Sequence, residues 1–177
     1  MVSRTYAGKE EDFHLKEMTN ADSYQHFVNR ESLLTALAEE GFQGLYCSLQ
    51  EALQQAPNDP LKQLEAIGIA YVRYAISHPS HYRVMFGSYG INEKTQPSLK
   101  EASKQAFMVL VNVIVDGQST GVMRSGEPKQ LVLVSWSLVH GLAMLLIDGQ
   151  MPVTESREID ALSGFITHVF VQAVSRS

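Results

Sequence analysis

Cysteine is almost missing from this 177-residue sequence. Cys47 stands alone, so the chain can close no internal disulfide and cannot build a zinc site from cysteine pairs. It sits among helix formers, where a buried, unreactive thiol is expected, and a reducing compartment fits such cysteine usage. Positive charge is also scarce: 14 Lys and Arg stand against 19 Asp and Glu, a formal charge of −5. The chain therefore has no general attraction for polyanions, and any nucleic-acid contact must come from a local patch. The first 30 residues offer none, since Arg4, Lys9, Lys16 and Arg30 are outnumbered by Glu10, Glu11, Asp12, Glu17 and Asp22. Lys9-Glu10-Glu11-Asp12 also excludes a signal peptide there. The longest apolar stretches are interrupted by Asn112, His140 or Asp148 and fall short of the ~20 residues of a membrane span. A soluble, cytoplasmic protein without a membrane partner is expected.

Catalytic signatures are missing too. The sequence has no Gly-rich phosphate loop, no His-Glu-x-x-His and no nucleophile elbow, so no enzyme activity and no cofactor are expected. His78-Pro79-Ser80-His81 places two histidines around a helix break without carboxylate or cysteine support, and no metal is assigned to them. The simpler reading is a helix C-terminus at which His78 meets the free carbonyls and the dipole.

What is present is helix. Hydrophobic residues make up 45% of the chain, enough for a sizeable core. Residues 1–19 show no sustained period. From Asn29, a plausible N-cap, apolar residues recur at three- and four-residue steps through Leu33, Leu37, Phe42, Leu45, Leu49 and Leu53. Pro57 and Pro60 break that helix, and Asp59 caps the next with Pro60 at its first position. Ser80 is the expected cap of a short third segment. A fourth helix begins near Pro97 and ends in Asp116-Gly117-Gln118-Ser119-Thr120-Gly121. A fifth, strongly apolar, runs from about Lys129 to Asp148, and a last one follows Thr154. The fold class is all-α.

Within the fifth helix, Trp136 and His140 lie one turn apart on one face. Gly141 follows, at a cost of about 1 kcal/mol against alanine, which makes sense if a backbone or ligand must come close there. A core Trp and a hydrogen-bonded core His explain the pair equally well. Apolar residues cover nearly the whole circumference of this helix, so it should be buried on all sides. A homodimeric four-helix interface achieves that in a small chain. Leu138, Leu142 and Leu145, with Leu162, Phe165, Ile166 and Val169 of the last helix, are the candidate interface.

Three stretches together resemble a known family. Tyr24-x-His26-Phe27-x-x-Arg30-Glu31-x-Leu33-Leu34, followed by Ala38-Glu39-Glu40-Gly41-Phe42, resembles the junction between DNA-binding and regulatory domains in TetR/AcrR-family transcriptional regulators. Tyr71-Val72-Arg73-Tyr74-Ala75-x-x-His78-Pro79-x-x-Tyr82-Arg83-Val84-Met85-Phe86 resembles the first regulatory helices of one branch. Trp136-x-x-x-His140-Gly141 is similar to the motif naming that branch's WHG-type C-terminal domain. The likeness covers roughly residues 23–175, in order and in spacing. It implies a helical homodimer whose C-terminal domain binds a small, often apolar molecule and thereby changes DNA affinity. Tyr24, His26 and Arg30 match positions that touch phosphates in such regulators, contacts that position a protein on DNA without reading its sequence.

The resemblance divides the chain into a remnant of a helix-turn-helix head, 1–32, and a ligand-binding and dimerisation domain, 33–177. The support helix, first motif helix and turn expected before Tyr24 are not visible, and a recognition helix needs its partner to seat it in the major groove. Weak or absent operator binding is therefore expected. A small apolar or aromatic effector is expected between helices at about 61–77, 81–88, 98–115 and 130–147. Its candidate wall is Tyr71, Tyr74, Met85, Phe86, Phe107, Leu110, Trp136 and His140, although core packing accounts for most of these side chains as well. The alternative is an interaction protein that dimerises with full-length relatives and modulates them without binding DNA.

Overall fold

The computed structural model describes residues 8–87, 96–153 and 155–176, with side chains from residue 30 onward. Among these residues six helices follow in order: α1 (Gly8–Gln55), α2 (Pro60–Ser77), α3 (Pro79–Phe86), α4 (Pro97–Ser119), α5 (Pro128–Ile147) and α6 (Ser156–Val174). Among the described residues there is no strand, only an isolated bridge between Met123 and Ser175.

α1 runs unbroken through 48 residues. Asn29 is therefore interior to a helix and not its cap, and residues 8–19 are helical despite lacking an apolar period. An N-cap residue starts a helix only where something upstream stops one, and residues 9–28 contain neither proline nor glycine. Ala38, Phe42, Leu45 and Leu49 form the buried stripe of α1. Cys47, expected to be buried, is exposed. It lies two residues from both Leu45 and Leu49, about 200° around the helix from each, and so faces outward.

The start of α2 follows its sequence signals. An Asp59 carboxylate oxygen accepts from the Leu61 N–H at 2.9 Å, with Pro60 opening the helix. Such a cap stabilises by about 1 kcal/mol. α2 ends at His78, whose backbone N–H donates to the Tyr74 carbonyl at 3.0 Å. Its ring stacks on Tyr74 with centroids 4.4 Å apart. Pro79, unable to continue the ladder, opens α3 as its first residue, so the cap of α3 is His78 and not Ser80. α4 passes through Gly117, which is buried under Met123, and the chain turns only at Gly121, with φ 76°.

α2 is the hub, touching α1, α4, α5 and α6. Gly68 lets α6 approach it: a Cβ there would run into Thr167 Cγ2. Two surface ion pairs strap helices together, Arg73 to Asp160 at 2.6 Å (α2 to α6) and Arg83 to Asp148 at 2.8 Å (α3 to the end of α5). The hydrogen bond from Arg73 holds the Asp160 carboxyl below its usual range. Both pairs are well exposed and contribute little stability. Backbone bonds from Arg124 N–H to Val174 O (2.7 Å) and from Arg176 N–H to Val122 O (3.0 Å) tie the end of α6 to the α4–α5 loop.

By length and composition, α5 is apolar enough to cross a membrane. This departs from the expectation that every apolar stretch falls short, because His140 interrupts the run without adding a formal charge. The inner face of α5 (Val132, Ser135, Val139, Leu142, Ala143) is packed into the bundle.

Candidate effector chamber and outer face

α1 through α5 line a chamber of about 470 Å³ that is partly open to solvent, within the range of small-molecule sites. α1 supplies Phe42, Leu45 and Leu49, and α2 supplies Ile67 and Tyr71. Met85 and Phe86 come from α3, Phe107 and Leu110 from α4, and Trp136 and Val139 from α5. Aromatic rings set much of the wall: Phe86 and Phe107 each stand 6.1 Å from Trp136, and Phe42 meets Phe86 edge-on at 5.4 Å. Six of the eight residues expected at the wall line it: Tyr71, Met85, Phe86, Phe107, Leu110 and Trp136.

Tyr74 and His140 lie behind that wall. The Tyr74 hydroxyl donates to the Gly41 carbonyl at 2.8 Å and fills the space beside Gly44, where a Cβ would stand 2.6 Å from it. It is thus a bracket between α1 and α2. His140 belongs to a polar cluster behind Tyr71. Its Nδ1 lies 2.7 Å from the Tyr82 hydroxyl and 3.1 Å from that of Tyr71. The Tyr82 hydroxyl donates to Tyr71 at 2.9 Å, and the Trp136 indole N–H donates to Tyr71 at 3.1 Å.

Burial lowers the pKa of His140 and pushes the Tyr71 hydroxyl up to about 12, against the smaller opposing effect of its bonds from Tyr82 and Trp136. Burial also raises Tyr82. All three side chains are therefore neutral near pH 7, and Nδ1 accepts when the ring proton sits on Nε2. Such a network fixes Tyr71 and Trp136 at the chamber wall.

The wall also contains residues that the sequence reading did not assign to it. Phe42, Leu45 and Leu49 were visible as a stripe on α1 without a stated role. Lys100, Ser103 and Lys104 share one face of α4 with Phe107, at steps of three and four residues. That spacing could have placed them there.

On the opposite side, α5 and α6 present a second apolar surface. Leu138, Leu145, Phe165 and Val169 are 40–66% exposed, and Leu133 and Val134 extend the patch along α5. Leu162 and Ile166 are half-buried at its edge. Leu142, expected in the same group, is 4% exposed and lies in the core with Ser135 and Val139, so it has little surface left for a partner. Gly141 meets nothing within 4 Å. Within the chain, a close approach occurs at Gly68, where α6 packs.

For the head, α1 carries the backbone of residues 24–30 as helix, and Arg30 is exposed. The side chains of Tyr24 and His26 lie outside the described residues. Among the described residues, no group of three or more His, Cys, Asp or Glu gathers as a metal site.

The described residues thus form a helical domain around a partly open apolar chamber, with a bare apolar face on its last two helices. Residues 64–169 match the family described as tetracyclin repressor-like, C-terminal domain. The chain is similar to a solved protein of unknown function from Rhodococcus sp. RHA1, with 25% identity and a TM-score of 0.73 over 83% of this chain and 74% of that one. It is also similar to the TetR-family transcriptional regulator PfmR from Thermus thermophilus (17%, TM-score 0.68, 88% and 82%). A third likeness is to a tetR-family regulatory protein from Rhodococcus RHA1 (16%, TM-score 0.68, 87% and 78%). No curated protein matches the chain. The chain belongs to the TetR family of transcriptional regulators.

Proposed function

We propose that this chain is a cytoplasmic, non-enzymatic regulator whose C-terminal domain binds a small apolar or aromatic effector and homodimerises, with weakened operator binding. The chamber is the observation that carries this reading. Its wall includes three residues of α1, and the same helix holds residues 24–30. Phe42 and Arg30 are about 18 Å apart along its axis at 1.5 Å per residue. An effector pressing on Phe42 would therefore shift the helix on which Arg30, with Tyr24 and His26, would meet phosphates. The apolar face of α5 and α6 would pack on itself in a second copy.

Impaired DNA binding is supported by α1 itself. A helix-turn-helix requires two helices crossing at a turn, and residues 8–55 form one helix without a turn. The same combination favours the second reading, in which the chain pairs through α5 and α6 with full-length relatives and reduces their DNA binding.

Trp136 is the only tryptophan and stands in the wall, so occupancy has a built-in reporter. Titration with the neutral apolar fluorophore N-phenyl-1-naphthylamine should give saturable energy transfer from Trp136. An absence of saturable binding would refute the chamber as an effector site.

A further inference from the structure

The two ends of the chamber differ chemically. α4 crosses it from Lys100 to Leu110, a rise of about 15 Å at 1.5 Å per residue. Its face there reads Lys100, Ser103, Lys104, then Phe107 and Leu110. The lysine end sits near the start of α4, whose first turn holds no acidic residue and where backbone N–H groups add positive potential. The other end meets Trp136 and the aromatic wall. Among the described residues, the chamber's lining contains two charged side chains, both lysines, and no carboxylate.

Lysines four residues apart on a helix repel one another. An anion between them relieves that repulsion, whereas a neutral ligand leaves it in place. Among the described residues Lys104 pairs with Glu101 at 3.9 Å, but both side chains are more than half exposed and the pair is weak. Glu101 is not part of the chamber's lining, so Lys104 can turn to a ligand at small cost.

Resting on the effector reading above, we infer that the chamber takes an amphipathic anion with an apolar body and one carboxylate head, seated with its head at Lys100 and Lys104. The body lies along Phe107 and Leu110 towards Trp136. The Ser103 hydroxyl, between the lysines, donates to the Lys100 carbonyl at 3.1 Å and reaches a carboxylate only by leaving that bond. The aliphatic stems of the lysines continue the apolar wall while their ammonium groups stay at the rim, so the ligand need not bring an ion into a dry interior.

The test uses the whole chain and three probes of equal length: decanoate, 1-decanol and decylamine, each below its micelle-forming concentration. Each displaces N-phenyl-1-naphthylamine in competition. Decanoate should bind up to about ten-fold more tightly than decanol at low salt, as two exposed charge pairs allow, and decylamine more weakly than decanol. The preference for decanoate over decanol should shrink as salt rises and vanish in Lys100→Gln/Lys104→Gln.

Equal affinity for decanoate and decanol would overturn the inference and leave the effector chamber standing, because both still displace the fluorophore. A preference for decanoate that survives the double substitution would overturn it too, by placing the head elsewhere. Failure of the fluorophore itself to bind would remove the chamber reading and this inference together.

Discussion

The molecule carries two apolar surpluses, one facing in and one facing out. In the chamber, apolar side chains from five helices face one another across a shared cavity. On α5 and α6, apolar side chains stand bare to solvent. Both arise from helices with more hydrophobic positions than a minimal core needs, and the difference lies in which neighbours the fold supplies. α1 and α4 wall the inner surface, whereas no described helix covers the outer one. Periodicity marks a surface as apolar without identifying what will cover it.

The largest test of this contrast acts on the outer face. Phe165→Glu with Val169→Glu should convert a dimer to a monomer at micromolar concentration in sedimentation velocity, with helicity unchanged by circular dichroism. A wild-type monomer under the same conditions would show that this face has another occupant.

A pair of glycines sharpens the comparison. Gly68→Ala forces Thr167 and α6 away from α2 and should destabilise by about 1–3 kcal/mol, read from the urea midpoint. Gly141→Ala meets open space in the monomer and should be neutral or stabilising by up to about 1 kcal/mol.

The cluster behind the chamber should make stability depend on pH. Burial holds the folded-state pKa of His140 below the ordinary value of 6.5, so the unfolded chain binds the proton more readily. The resulting stability is present above the unfolded value and is lost as pH falls through the folded one. Between about pH 7 and pH 5, the wild-type melting temperature should fall more steeply than that of His140→Gln. Parallel slopes would show that His140 does not couple to folding. At the α2 cap, Asp59→Ala should cost about 1 kcal/mol.

Much of the fold was legible because local chemistry decided it. Asp59-Pro60 set the start of α2, Pro79 its end, and the three- and four-residue apolar steps the inner faces. Positive signals for a boundary proved weaker than the lack of a breaker: α1 runs past Asn29 because nothing upstream interrupts it. Six chamber residues were legible as apolar or aromatic side chains on helices that meet there, although Phe107 lies off the buried stripe of α4. Tyr74 and His140 were misplaced because their polar atoms found partners behind the wall, at Gly41 and at Tyr71 and Tyr82, and one-dimensional spacing does not show depth. Leu142 shows the same limit, whereas the outward side of Cys47 follows from its spacing to Leu45 and Leu49. Nothing in the sequence singles out Lys100 and Lys104, because lysines on a helix usually mark its solvated face.

The most direct measurement is amide hydrogen exchange along the whole chain, with and without N-phenyl-1-naphthylamine. Occupancy of the chamber predicts added protection in α1 around residues 42–49 and in α4 around 100–110, with the 165–169 segment of α6 unchanged. Protection confined to α6 and the outer turns of α5, with α1 and α4 unchanged, would mean that apolar ligands bind the outer face and would contradict the assignment of the inner surface as the effector site.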